Sequence, residues 1–128
     1  MQATAEQIKQ RTRKFALRIL KLCDALPRST SGRAIPNQLV RSGTSVGANY
    51  RAVCRARSRA EFIAKIGIVV EEADETVFWL DLLADSGLVK AERLGDLLKE
   101  ATELLAIFAA SQLTAKHRKA VQSSMAKS

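Results

Sequence analysis

Apolar residues recur every three or four positions in four segments of this 128-residue chain, and that spacing restricts the chain to α-helices. Only two prolines and six glycines interrupt the pattern, so the helices must be long. The apolar residues are mainly aliphatic, because aromatic residues make up only 5% of the chain, and this composition favours helices over strands. We therefore predict a single all-α domain around one hydrophobic core.

Signals at the helix ends divide the chain into four helices. Pro27 stops the first helix, and Pro36 suits the first turn of the second after a loop from Ser29 to Ile35. Ser58 and Glu61 form a capping-box pattern at the start of the third helix, and Gly87 follows its end. The predicted helices span residues 5–26, 36–56, 59–85 and 91–113.

Short connections between helices of this length predict an antiparallel up-down-up-down four-helix bundle over residues 1–115. Residues 116–128 form a basic, polar tail that we expect to be disordered. The second helix carries many small residues, including Gly43 and Gly47, which predicts close approach of another helix.

Charge is divided unevenly along the chain, which has a net charge of +8. The segment Ala25–Ala60 contains no acidic residue and seven arginines, whereas most acidic residues lie between residues 60 and 110. Arginines without acidic neighbours are typical of a surface that binds phosphate or carboxylate groups. We therefore expect a binding protein, and the candidate nucleic-acid-binding residues are Arg41, Arg51, Arg55, Arg57 and Arg59.

Two interpretations of these arginines stay open. Arg41, Arg51 and Arg55 share one side of the second helix, and Arg57 would face the core unless that helix ended near Ala56. The arginines could bind a phosphate backbone, or they could be structural partners of acidic residues in the third helix. Tyr50 is the only aromatic residue among them, so stacking on unpaired bases is not indicated.

The third helix has apolar residues on two sides, which predicts burial on both. The ribbon on its second side consists of Ile68, Glu72, Glu75, Trp79 and Leu82, in which two carboxylates lie among apolar side chains. A monomeric bundle would leave that ribbon in water, so we predict that it forms an oligomer interface and that its carboxylates pair with arginines.

The sequence offers little for catalysis. The single histidine, His117, lies in the predicted tail, and the carboxylates Glu71, Glu72, Asp74 and Glu75 lack the Glu-x-x-His pairs of a di-metal bundle. We expect no enzyme activity, no metal and no cofactor. Cys23 and Cys54 lack metal-site spacing and are expected to be reduced thiols in a cytoplasmic protein, and no apolar run is long enough to span a membrane.

Three segments carry a family resemblance: Asn37–Arg51, Arg57–Phe62 and Glu71–Leu80. They resemble the bacterial four-helix-bundle proteins first found as reading frames in intervening sequences of 23S ribosomal RNA genes. The resemblance extends from about Phe15 to Leu113 and implies a homo-oligomer, with a pentamer favoured and no enzyme activity. The family is also similar to the accessory proteins of diversity-generating retroelements, which are basic pentamers that bind reverse transcriptase and RNA.

These observations lead to one functional expectation and one alternative. The first is a non-enzymatic cytoplasmic homopentamer whose basic surface binds nucleic acid, in particular structured RNA. The alternative is a protein-interaction scaffold, such as an accessory partner of a reverse transcriptase.

Overall fold

A computed structural model describes residues 3–126, apart from the side chains of residues 30–32. Within these residues the chain folds into four helices and no strand: α1 (Ala5–Asp24), α2 (Thr30–Val53), α3 (Arg59–Ser86) and α4 (Ala91–Ala126). The predicted all-α fold is confirmed. None of the described helices is both long enough and apolar enough to cross a lipid bilayer.

The four apolar stripes meet in one core. Helix α2 packs against α1 and α3, α3 packs against α4, and α1 makes a smaller contact with α4. Every helix contributes fully buried large side chains, namely Phe15, Ile19, Leu39, Ile66, Leu80, Leu83, Leu94, Leu104 and Phe108. Burying each of these apolar side chains contributes about 1.5–3 kcal/mol, so the shared core is the main stabilising element.

Buried hydroxyl groups in the core are all satisfied by their own helices. Thr12 donates to the Lys9 carbonyl at 3.0 Å, and Ser42 donates to the Gln38 carbonyl at 2.9 Å. Thr76 donates to the Glu72 carbonyl at 2.7 Å. These bonds let small polar residues lie at helix contacts without an unpaired polar group.

Caps lie at both predicted ends of α3, but only the Ser58 half of the predicted capping box forms, because the Glu61 carboxylate pairs with Lys65. Ser58 is the N-cap, and its hydroxyl accepts a 3.0 Å hydrogen bond from the Glu61 amide. Gly87 ends the helix in the left-handed conformation with φ of 76°, which a residue with a Cβ adopts only with strain. Helix α1 has a capping box between Thr4 and Gln7 that the sequence analysis did not identify.

Helix α2 begins at Thr30, and this corrects the predicted start at Pro36 and the predicted loop before it. The Arg33 amide donates to the Ser29 carbonyl at 2.9 Å, so a helical turn already exists before the proline. Pro36 therefore lies inside the helix, where it removes one backbone hydrogen bond. Burial of Ile35 in the core favours this helical turn despite the lost bond.

Helix α4 continues to Ala126, and this corrects both the predicted end at Leu113 and the disordered tail from residue 116. The chain contains no glycine or proline after Gly95, so nothing in its sequence stops the helix. Ala115 is buried beyond the predicted end. Residues 127 and 128 of the predicted tail lie outside the described residues, as do residues 1 and 2 of the predicted domain.

The small residues of α2 bring it close to α1, as predicted. A Cβ atom added at Gly43 would lie 3.0 Å from Cγ1 of the fully buried Ile19. One added at Gly47 would lie 3.2 Å from Oγ1 of Thr12. Glycine therefore suits the close approach at both positions, and a larger residue would force Ile19 or Thr12 to shift.

The surroundings of Gly43 and Gly95 predict opposite effects of alanine on stability. Gly43→Ala will lower the free energy of unfolding by about 1 kcal/mol or more, because overpacking against Ile19 outweighs the gain in helix propensity. Gly95→Ala meets no atom within 4 Å and will raise the free energy of unfolding by about 0.5–1 kcal/mol. Urea unfolding of the two variants measures the contrast. A stabilising Gly43→Ala would contradict the close contact.

Candidate nucleic-acid interface

The connection between α2 and α3 exposes most of the predicted arginines. Helix α2 ends at Val53, three residues before the predicted end at Ala56. Hydrogen bonds from the Arg55 amide to the Ala52 carbonyl and from the Ala56 amide to the Val53 carbonyl, both at 3.0–3.1 Å, close the last turn. Arg55 and Arg57 therefore lie in the connection and are exposed, and Arg57 does not face the core.

Arg51 and Arg59 flank this connection. Arg51 is exposed in the last turn of α2, and Arg59 is the half-buried first residue of α3. None of Arg51, Arg55, Arg57 and Arg59 forms a salt bridge with a residue in the described part of the chain. Four of the five predicted arginines are thus grouped within nine positions of one another, without acidic partners there.

Arg41 is different, because it is bound to α3. Its Nη1 donates to Oε2 of Glu72 at 3.2 Å, and its Nη2 forms an ion pair with Oε2 of Glu75. That second contact lacks hydrogen-bond geometry. Arg41 Nε also donates to Oε1 of Gln38 at 3.1 Å. Arg41 is therefore a structural partner of acidic residues in α3. It provides the cation that the partly buried Glu72 and Glu75 need.

The extension of α4 places further basic residues beside Arg59. An open groove of about 330 Å³ is lined by Arg59, His117, Arg118, Val121 and Gln122. Sequence reasoning assigned His117 and Arg118 to a solvated tail because it ended α4 at Leu113. The signal that it missed is the absence of a helix-stopping residue after Gly95.

We call Arg51, Arg55, Arg57, Arg59, His117 and Arg118 the basic end.

Acidic residues are few in the sequence around the basic end. No acidic residue lies between Ala25 and Ala60 or after Glu103. Glu61, the nearest in sequence, forms a 3.0 Å salt bridge with Lys65. The hydrogen bond from Lys65, followed by one from the Arg57 backbone, lowers the pKa of Glu61. The arginines of the basic end therefore keep a positive potential that Glu61 does not neutralise.

Arg11 of α1 is also paired with acidic side chains. Its Nε donates to Oε2 of Glu100 at 2.9 Å, and its Nη2 donates to Oε2 of Glu103 at 3.0 Å. The hydrogen bond to Glu100 is the main cause that raises the pKa of Arg11. This ion pair joins α1 to α4 and removes Arg11 from the free basic surface.

The predicted oligomer ribbon on α3 is partly exposed and partly packed. Ile68 is 45% exposed and Leu82 is 42% exposed, whereas Trp79 is half-buried against the core. The Trp79 ring packs edge-on to Phe78 with centroids 5.0 Å apart, and its buried indole N–H has no acceptor among the described residues. Phe78, which sequence reasoning omitted, is 56% exposed and lies beside Leu82 on the next turn.

The described residues contain no group of three His, Cys, Asp or Glu side chains that could hold a metal ion. Burial raises the pKa of the Cys23 thiol to about 11, so this thiol is protonated at neutral pH. Cys54 is exposed, and neither cysteine forms a disulfide.

Comparison with known proteins gives a family and a fold. The family model described as "23S rRNA-intervening sequence protein" matches residues 5–110. A solved structure from Bacteroides thetaiotaomicron VPI-5482, described as a protein of unknown function from the S23 ribosomal protein family, is 34% identical with a TM-score of 0.76. The match covers 82% of this chain and 97% of that chain. No curated protein matches the sequence.

Substituting a paired and an unpaired arginine should change the free energy of unfolding by different amounts. Arg41→Gln will lower the free energy of unfolding by up to about 1 kcal/mol, because Glu72 and Glu75 lose their cationic partner. Arg55→Gln has no such partner to lose and will change it by less than about 0.5 kcal/mol. Urea unfolding at low salt tests the pair. Equal effects of the two substitutions would contradict the distinction between them.

Proposed function

The chain belongs to the family of 23S rRNA-intervening sequence proteins, and on that premise we propose that it is a non-enzymatic protein whose basic end binds the phosphate backbone of structured RNA. The carrying observation is that Arg59 of α3 and Arg118 of α4 line one groove, next to the connection that exposes Arg55 and Arg57, and that none of these four arginines forms a salt bridge with a described residue. Because the groove is open, one phosphate group can contact Arg59 and Arg118 together.

Arginine chemistry supports a phosphate ligand. Each guanidinium offers a planar set of donors that matches a phosphate group in bidentate geometry. Neutralising several phosphates releases counterions, which supplies most of the affinity for nucleic acid irrespective of sequence. The proposed contacts therefore position RNA by its backbone and do not require base-specific recognition.

The surroundings of Tyr50 favour a folded RNA over an unpaired strand. Proteins that hold single strands use exposed aromatic rings on which bases stack. Tyr50 is half-buried, and its ring lies 5.4 Å from the buried ring of Phe108. Burial is the first cause that raises the pKa of Tyr50, to about 12. Its ring is therefore occupied by the core, and the basic end presents charge without a stacking platform.

We also propose that consecutive helices alternate in direction and that the bundle assembles as a homo-oligomer, with a pentamer favoured by the family resemblance. Alternation is supported by the α1–α2 contacts, where Gly43 faces Ile19 and Gly47 faces Thr12, so the two chain directions oppose. The exposed Ile68, Phe78 and Leu82 support assembly, because apolar side chains grouped on one helix face are typical of interfaces. The proposed location is the cytoplasm, where ribosomal RNA is found.

Salt dependence tests the binding proposal. The affinity of the protein for a labelled RNA hairpin will fall linearly on logarithmic axes as salt rises, with a slope of about 0.7–0.9 per neutralised phosphate. Arg59→Gln combined with Arg118→Gln will reduce that slope by about 1–2, since two phosphate contacts lose their charge. Fluorescence anisotropy across a salt series measures both quantities.

The matched control removes two cations elsewhere: Lys90→Gln combined with Arg93→Gln, at exposed positions around the start of α4. It changes net charge by the same amount and should leave the slope near its original value. If the control and the basic-end variant behave alike, the binding site is not at the basic end. If RNA binding is at background throughout, a protein-interaction scaffold replaces the RNA-binding proposal.

The molecular mass of the protein in solution tests the assembly proposal. Light scattering at micromolar concentration is expected to give a multiple of 14.0 kDa, and Trp79→Ala is expected to weaken the oligomer. Because Trp79 also packs on the core, Phe78→Ala is the sharper variant: its side chain is mostly exposed and its loss should dissociate the oligomer without unfolding the chain. Circular dichroism checks folding. A 14.0 kDa monomer before any substitution would contradict the assembly proposal.

A further inference from the structure

Two exposed helix faces, on α1 and α3, each have an apolar centre and oppose each other in charge. The α1 face consists of Arg13, Lys14, Leu17, Leu20 and Lys21. The α3 face consists of Glu71, Asp74, Phe78, Asp81, Leu82 and Asp85.

On α1, an apolar centre is surrounded by cations. Leu17 is 46% exposed and Leu20 is 39% exposed. Arg13, Lys14 and Lys21 lie one turn before or after Leu17, and at 100° per residue the whole face occupies a sector of about 120°. No acidic residue occurs between Glu6 and Asp24, so no acidic side chain interrupts it.

On α3, the arrangement is the reverse. Exposed Phe78 and Leu82 are surrounded by Glu71, Asp74, Asp81 and Asp85, all exposed and within a sector of about 100°. No basic residue occurs between Ile66 and Val89. Unlike Glu72 and Glu75, which Arg41 engages, these four acids form no salt bridge within residues 3–126.

The two faces cannot meet within one molecule. In the described part of the chain the backbone of α1 lies beside α2 and α4 but not beside α3, so α1 and α3 lie diagonally across the core from each other. The two faces differ in length, but the shorter one can lie within the longer one. The cations from Arg13 to Lys21 span about 12 Å, and the acids from Glu71 to Asp85 span about 21 Å, so the first set fits within the second.

We propose that the α1 face of one chain binds the α3 face of a second copy. Leu17 and Leu20 pack beside Phe78 and Leu82, while the flanking cations and acids pair around them. Contact between two different faces is heterologous, and repeating it closes a ring when the rotation permits. This deepens the assembly part of the proposed function and identifies which surfaces meet. It leaves the basic end outside the contact and free for RNA.

Charge reversal tests the pairing. Lys14→Glu with Lys21→Glu leaves the α1 face with a net charge of −1 opposite the acidic α3 face. Asp74→Lys with Asp81→Lys and Asp85→Lys gives the α3 face a net charge of +2 opposite the basic α1 face. Each set should raise the dissociation constant of the oligomer roughly tenfold or more, because like charges then face each other. Combining all five substitutions in one chain restores opposite charges, and the oligomer should re-form. Sedimentation across protein concentrations measures each constant, and circular dichroism confirms folding.

Controls reverse exposed charges at the start of α4 or just before it: Lys90→Glu with Lys99→Glu, and Glu92→Lys with Asp96→Lys. The proposal is overturned if the controls dissociate the oligomer as strongly as the face variants, or if the fivefold variant stays dissociated. A monomeric unsubstituted protein overturns it together with the assembly proposal. RNA binding at the basic end is measured separately by its salt slope, so a failure of self-association is distinguishable from a failure of RNA binding.

Discussion

The break between α2 and α3 is the constraint on which the rest of the molecule depends. If α2 continued, Arg57 would enter the core, where an unpaired guanidinium costs several kcal/mol. The chain instead leaves the helix at Val53 and starts α3 at Arg59 under the Ser58 cap. This break keeps Arg55 and Arg57 in solvent, and it lets the apolar stripe of α3 begin in a new orientation against α2 and α4.

Sequence reasoning succeeded where a local side-chain signal exists. The bounds of α3 were predicted to within one residue because Ser58 and Gly87 act within a single turn of each end. It failed where packing between residues distant in the sequence determines the helix bounds. Pro36 lies inside α2 because the neighbouring Ile35 is buried by other helices. Helix α4 continues beyond its apolar stripe because no glycine or proline follows Gly95. Which arginine meets an acid was also unpredictable, since Arg41 and Glu72 are brought together only by the packing of two helices.

The uneven charge of the chain serves two purposes in the folded state. Arg41 with Glu72 and Glu75, and Arg11 with Glu100 and Glu103, join the basic first part of the chain to the acidic second part. Such partly exposed pairs contribute only about 0–1 kcal/mol each, so the apolar core, not the charge, holds the helices together. The arginines of the basic end take part in none of the ion pairs within the described residues.

The continuation of α4 past Leu113 has a geometric consequence. Lys116, Arg118 and Lys119 follow one another around an exposed stretch of helix in steps of about 100° per residue. All three therefore fall within a sector of about 160°, and the rest of the circumference carries no lysine or arginine from this stretch. The end of α4 thus has one basic side. Arg118 on that side lines the groove beside Arg59, so the added length of α4 directs its charge toward the start of α3.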